Sequence, residues 1–268
     1  MSYRRKHIRP KLKKRKKIYQ RPFFWIFLIL LGAISILYIA LFHSKFQVVK
    51  VEISGNEKTK SQDVETIVWN NIQKKILGIG GLSISSESIF IADSKKIARD
   101  ILDKFPSIEE VQVEKKLPAA IILKIKERKP FAVFCHSSEN CFFIDSNGVV
   151  FENLQSLPQN AAIVITKGSN NSKVFLGESV IDKNNMDSIQ NVMQTLKNNF
   201  RIGIREVFVS SLLVFKTSEN WQVYFDPNSD INSQITKMDI LLKDEISPNA
   251  RKNLQYIYLQ YKDRAYYK

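Results

Sequence analysis

Hydrophobic and polar positions change period several times along the chain. From Phe23 to Phe42, in FFWIFLILLGAISILYIALF, twenty consecutive residues lack a charge. At about 1.5 Å per residue that run measures about 30 Å, the thickness of one hydrocarbon core. It predicts a transmembrane helix over residues 22–44, because a run apolar on every face exceeds what a domain of this size usually buries. Trp25 near one end and Tyr38 near the other suit the two membrane interfaces.

After the span the periods become those of a folded domain. In Phe46 to Ser54, Val49, Val51 and Ile53 alternate onto one side of a first strand, and Gly55-Asn56 ends it with turn chemistry. Thr59 and Gln62 have capping-box spacing ahead of Val64, Ile67, Val68 and Ile72, which recur at helical intervals. The glycines Gly78, Gly80 and Gly81 read as a loop between two helices. The second helix starts near Asp93 or Ser94, carries Ile97, Ile101 and Phe105, and stops at Pro106. Two strands follow, one with Val111, Val113 and Leu117 on a face, the other with Ile121, Leu123 and Ile125. The order is β-α-α-β-β.

From Phe131 onward the segments are short. Strands are predicted over residues 131–136, 141–145 and 149–151, with Asn147-Gly148 turning between the last two, then over 162–165, 207–209, 212–216, 221–225 and 254–261. Two helices interrupt them. One carries Met186, Ile189, Val192, Met193, Leu196 and Phe200; the other carries Ile231, Ile235, Met238 and Leu242. The fold class is therefore α+β, with a mostly β C-terminal domain on which helices pack.

Charge decides orientation. Eleven of the 41 Lys and Arg fall in residues 1–21 without one acid, while the rest of the chain is nearly balanced. Basic residues stay on the cytoplasmic side, so the N-terminus is predicted inside and everything after His43 outside. A cleaved signal peptide would leave an apolar new terminus, so an uncleaved anchor fits better. A nucleic-acid-binding arm is the alternative for the tail, but contact with anionic inner-membrane lipid, at about 1 kcal/mol per basic residue, needs no further partner.

Catalytic chemistry is poorly supplied. His7, His43 and His136 lie far apart in the chain, and Gly78-x-Gly80-Gly81 lacks the third glycine of a dinucleotide loop. No serine is followed by lysine three residues later, which removes the S-x-x-K motif of penicillin-binding enzymes. Glu109-Glu110 are adjacent on a strand and point to opposite faces. Cys135, His136 and Cys141 lack a fourth ligand and zinc spacing. In an oxidising compartment Cys135 and Cys141 are expected to form a disulfide across the tip of a hairpin, with two unpaired thiols as the alternative. No cofactor, nucleic acid or small-molecule substrate is expected.

Three stretches carry a family resemblance. FQVVKVEISGNEKTKSQDV (Phe46 to Val64), VEKKLPAAIILKIKERKPFAVF (Val113 to Phe134) with Pro118, Glu127, Arg128, Pro130 and Ala132, and FIDSNGVVF (Phe143 to Phe151) resemble the FtsQ/DivIB family of bacterial cell-division proteins. YIYLQYKDRAYYK (Tyr256 to Lys268) resembles its last strand. Leu117 stands where the family commonly has Trp, and Tyr258-Leu259-Gln260-Tyr261 where it has an acid-Leu-Arg-Tyr run.

The resemblance implies a basic cytoplasmic tail (1–21), a single transmembrane helix (22–44), a POTRA domain (45–128) and a β domain (129–268). It implies a non-enzymatic scaffold at the division septum of the bacterial inner membrane, N-terminus inside. There it would bind FtsB and FtsL-like proteins and help control septal peptidoglycan synthesis. The matching docking residues are Leu259, Gln260, Tyr261, Lys262, Asp263, Arg264, Ala265 and Tyr266. A last strand on a sheet edge would suit that role, since its free N–H and C=O groups can pair with an added strand. The rival readings are a membrane-anchored wall enzyme with an unrecognised site and an envelope POTRA protein binding unfolded peptides or aiding secretion.

Overall fold

A computed structural model describes residues 19, 22–79, 82–136, 140–155, 163–168 and 173–268. The basic tail, apart from Tyr19, lies outside them. The chain divides into two compact units, residues 1–52, 68–94 and 114–122, and residues 53–67, 95–113 and 123–268.

Helix α1 (Pro22–Phe42) is the apolar run, and none of its residues is buried in the protein. A core helix would hide its side chains, so this exposure removes that alternative and leaves α1 fit for a membrane. A 3-10 turn, Ser44–Phe46, follows and delays the first strand, β1 (Lys50–Ser54). Val48 is therefore buried while Val49 is 74% exposed, one residue out of phase with the expected face.

Helix α2 (Ser61–Ile72) buries Val64, Val68 and Ile72. Thr59 does not cap it. Both the Thr59 amide and its hydroxyl go instead to the Glu127 carboxylate, and Lys60 carries the carbonyl that accepts from Asp63 and Val64. The expected helix-to-helix loop is also corrected. Gly78 lies on β2 (Lys74–Ile79), which pairs antiparallel with β3 (Leu82–Ser86) in register Ile79↔Leu82. Only residues 80 and 81, outside the described set, connect them. Two apolar runs two residues apart are a hairpin signal.

Helix α3 (Ser94–Lys104) buries Ile97 and Ile101. Then come β4 (Ile108–Lys116) and β5 (Ala120–Glu127), in a three-stranded sheet of order β1-β5-β4. Two helices and this sheet keep the β-α-α-β-β order, with the β2–β3 ribbon added. Leu117 was expected on a strand face but sits past the end of β4, 63% exposed, because the turn at Pro118 takes it out of the pleat. Gly55, at φ +84°, is required where it stands: a Cβ there would meet the Ile125 carbonyl oxygen at 2.1 Å.

The second sheet holds nine strands. They are β6 (Ala132–Cys135), β7 (Cys141–Ile144), β8 (Val150–Leu154), β9 (Val164–Lys167), β10 (Ile204–Val209), β11 (Leu213–Thr217), β12 (Gln222–Phe225), β13 (Tyr256–Tyr258) and β14 (Tyr266–Tyr267). Their order is β14-β13-β12-β11-β10-β9-β6-β7-β8. Helices α4 (Lys183–Phe200) and α5 (Ile231–Ile240) supply Met186, Ile189, Val192, Leu196 and Met238 to its core, against Phe215, Trp221, Phe225 and Ile257. Asp182 caps α4 by accepting from the Asn185 amide, and Arg201 ends it in the left-handed conformation.

Two carboxylates fix the start of this region. Glu127 accepts from the Lys58 and Thr59 amides; burial pushes its carboxyl up, but these donors outweigh that and hold it below the ordinary value. Asp145 pairs with the half-sheltered Arg128 guanidinium and accepts from the Asn147 and Val149 amides, while Arg128 Nε donates to the Pro106 carbonyl at 3.0 Å. Asp145 thereby sets the Asn147-Gly148 turn, and Gly148, at φ +76°, has no room for a Cβ beside the Ile181 carbonyl.

Candidate protein-docking surface at the C-terminus

The chain enters this region from α5. Asp226 accepts from the Ser229 hydroxyl and the Asn228 amide, which hold its carboxyl below the ordinary value, and Asp230 caps α5 by accepting from Asn232 and Ser233. The helix is thus fixed at its first turn. Two turns along it, Lys237 Nζ donates to the carbonyls of Leu259, at 3.0 Å, of Tyr261 and of Lys262. One ammonium gathers three carbonyls and shapes the chain as it leaves β13.

Strand β13 runs parallel to β12, in register Val223↔Ile257. Alternation sends Ile257 and Leu259 fully into the core and leaves Tyr256 and Tyr258 on the outer face. There the rings of Tyr224, Tyr258 and Tyr256 form a row, with centroids 4.5 and 4.7 Å apart. Burial, followed by the neighbouring Tyr258, pushes the Tyr224 hydroxyl above the usual phenol range.

The expected edge is not the edge. The chain turns back after Lys262, and β14 pairs antiparallel with β13, Ile257↔Tyr267 and Tyr258↔Tyr266. Gln255 donates to the Lys268 carbonyl at 2.6 Å, and Lys268 donates to Tyr256. Because successive residues of a strand turn their amides to opposite sides, Tyr267 directs its N–H and C=O away from β13, along the outer side of the sheet.

The eight residues expected to dock a partner therefore divide. Tyr261, Lys262, Asp263, Arg264 and Tyr266 are exposed; Gln260 is half-buried. Leu259 is wholly in the core and Ala265 packs against it from the rim, so these two support the surface and Leu259 cannot touch a partner directly. Tyr261 and Tyr266, each nearly half exposed, meet edge to face at 5.2 Å. Beside them lies a cleft of about 410 Å³ lined by Asp230, Ser233, Lys237, Gln260, Tyr261 and Lys262. Gln260 Oε1 is buried there without a hydrogen-bond partner.

Cys135 and Cys141, directly opposed on β6 and β7, are joined by a disulfide. They lie toward the opposite end of the sheet order from β14, three and four strands from β11. Among the described residues no group of three His, Cys, Asp or Glu side chains is placed to hold a metal ion.

Comparison with known proteins adds the family. Residues 46–128 match the family model described as the POTRA domain, FtsQ-type. The cell division protein DivIB of Clostridium tetani is 27% identical over 227 residues, covering 82% of this chain and 78% of that protein. The DivIB of Clostridium botulinum is 28% identical over 240 residues, 87% of this chain and 86% of that one. The cell division protein FtsQ of Bartonella bacilliformis is 30% identical over 140 residues, 52% of this chain and 41% of that protein.

The chain belongs to the FtsQ/DivIB family.

With the FtsQ/DivIB family comes a role in bacterial cell division, and the apolar helix near the N-terminus fits a membrane-anchored division protein. Three features of the C-terminal surface escaped the sequence. Lys237 looks like any solvated helical lysine until its carbonyl partners are known. Tyr267 gains its place from a two-residue strand too short to show a period. Tyr224 joins the tyrosine row only because β12 and β13 are neighbours, although the sequence separates them by thirty-odd residues.

Proposed function

We propose that this FtsQ/DivIB chain is a non-enzymatic scaffold of the division machinery. It is held in the inner membrane by α1 with the N-terminus in the cytoplasm, and it binds FtsB and FtsL-type partners at the septum. Through them it helps control septal peptidoglycan synthesis. A basic tail, the span, a POTRA domain to residue 128 and a β domain beyond it divide the work.

The observation that carries this reading is the free side of β14 beside exposed tyrosines. An extended segment of an FtsB-like partner adds to the sheet along Tyr267, gaining backbone hydrogen bonds. Tyr261 and Tyr266 pack on its side chains, as large, stiff, polar-tipped residues do at interface centres. Gln260 Oε1 accepts a donor from the partner, so an acceptor left unpaired in the free protein is satisfied in the complex. Lys262 and Arg264 favour an acidic partner segment.

Tyr261→Ala together with Lys262→Glu tests this. Capture of an FtsB-like partner by full-length protein in detergent should fall at least tenfold, with the unfolding temperature unchanged, because both side chains are exposed. Undiminished capture would move the docking surface elsewhere. Turnover of peptidoglycan or its lipid-linked precursor by the purified chain would overturn the scaffold assignment itself.

A further inference from the structure

The last turn of any helix leaves carbonyls without intrahelical partners, and where water is scarce each one left open is costly. At the end of α1 three of them are taken. Ile39 accepts from the His43 amide at 3.0 Å. The Ala40 carbonyl accepts from the Ser88 hydroxyl at 2.7 Å, and the Leu41 carbonyl from Gln47 Nε2 at 2.8 Å and from the Ser86 hydroxyl at 2.5 Å. Ser86 ends β3 and Ser88 lies just after it, 45 and 48 residues downstream of the carbonyls they meet. That segment is also stitched by backbone: Val48 donates to Glu87 at 3.0 Å, and Ile89 donates to Phe46 at 2.9 Å. Gln47 Oε1 accepts from the Glu87 amide at 2.9 Å.

Depth follows from length. Helix α1 has 21 residues, about 31 Å at 1.5 Å each, which matches a hydrocarbon core of about 30 Å. Its ends therefore sit at the two boundaries, and the Ala40 carbonyl is about 3 Å inside Phe42 along the axis. A hydroxyl bonded to that carbonyl lies at the same depth. Two residues beyond Ser88, Phe90 is 49% exposed, and its ring stands 5.2 Å from that of Phe46, itself 6.2 Å from His43. An aromatic cluster at a helix end, with Lys45 exposed beside it, has the composition of a lipid interface.

We propose that Ser86–Phe90 is a second membrane contact: the two serines tie this segment to the end of α1, and Phe90 with Phe46 inserts among the lipid headgroups. The inference rests on reading α1 as a span. Its occupant is the bilayer, because continuity with α1 brings lipid to this surface whatever else binds the chain. The helix end and the segment then move as one piece, and the span cannot swivel freely beneath the domain it carries.

Full-length protein in phosphatidylethanolamine and phosphatidylglycerol vesicles provides the test. An environment-sensitive fluorophore goes on Phe90→Cys, or on Glu206→Cys, an exposed position in β10, as the water reference. Cys135 and Cys141 are bonded to each other and do not compete. Lipid carrying a shallow nitroxide should quench the label at 90 at least threefold more than the label at 206. Ser86→Ala with Ser88→Ala should reduce that excess by half or more. Brominated acyl chains should quench Trp25, which reports the span independently. Equal quenching at 90 and 206 with Trp25 quenched would overturn the proposal and leave the span standing. An unquenched Trp25 would overturn both. Circular dichroism matching the native chain for each labelled protein rules out misfolding as the cause.

Discussion

At one end of the nine-stranded sheet, β8 is covered. Val150 donates to Glu178 at 2.9 Å and accepts from Gly177 at 2.7 Å, Val149 bridges to Ser179, and Glu152 is paired with Lys58 at 3.0 Å. At the other end, β14 is two residues long, flanked by exposed tyrosines, with nothing paired along its outer side among the described residues. Both are terminal strands, yet the chain spends a loop and an ion pair closing one and leaves the other open. Unpaired strand edges invite association, so soluble proteins ordinarily cover or shorten them. Shortness limits β14 to a partner whose side chains also suit the tyrosine surface, which makes an open edge selective.

The largest way to break this contrast is at the covered end. Arg128→Met leaves Asp145 charged and almost fully buried without its partner, and should lower stability by about 3–5 kcal/mol in denaturant titration. Partner capture below the new unfolding temperature should remain native, since β14 is untouched. Replacing Cys135 and Cys141 with serine should cost about 2 kcal/mol by the loop-closure estimate, measured the same way, again without effect on capture.

Changes at the open end should do the reverse. Lys237→Met removes the ammonium that gathers three carbonyls, so amide exchange of residues 259–262 should quicken and capture should weaken about fivefold, roughly 1 kcal/mol. Global stability should change less than with Arg128→Met. The smallest effect concerns acid. The Glu127 carboxyl is held below its ordinary value in the folded chain, so its contribution is complete above the unfolded-state pKa and is lost as pH falls through the folded one. Glu127→Gln should therefore flatten the acidic limb of the stability curve and leave capture at neutral pH unaltered.

Much of the architecture was legible because burial writes a period. The α1 run, the α4 stripe from Met186 to Leu196 and the alternation of Trp221, Val223 and Phe225 each follow from one face meeting a core. Features made by distant residues were not. Thr59 offers a capping pattern, but Glu127, 68 residues away, takes its amide. The glycines Gly78, Gly80 and Gly81 read as a loop between helices until β2 and β3 are seen to pair. At the C-terminus the tyrosine-rich tail drew attention to the segment that forms the last strand of the sheet. Which tyrosines face outward, and which strand forms the edge, depended on β14 folding back, and two residues carry no periodic signal. Leu259 shows the same limit: a segment read as continuous contains a residue turned into the core.

The open edge of β14 is tested most directly by hydrogen exchange on the full-length protein with and without an FtsB-like partner. The account predicts slowed exchange over residues 261–268, strongest at Tyr267, and no change over residues 150–154. Protection along β8 with none along β14 would contradict it.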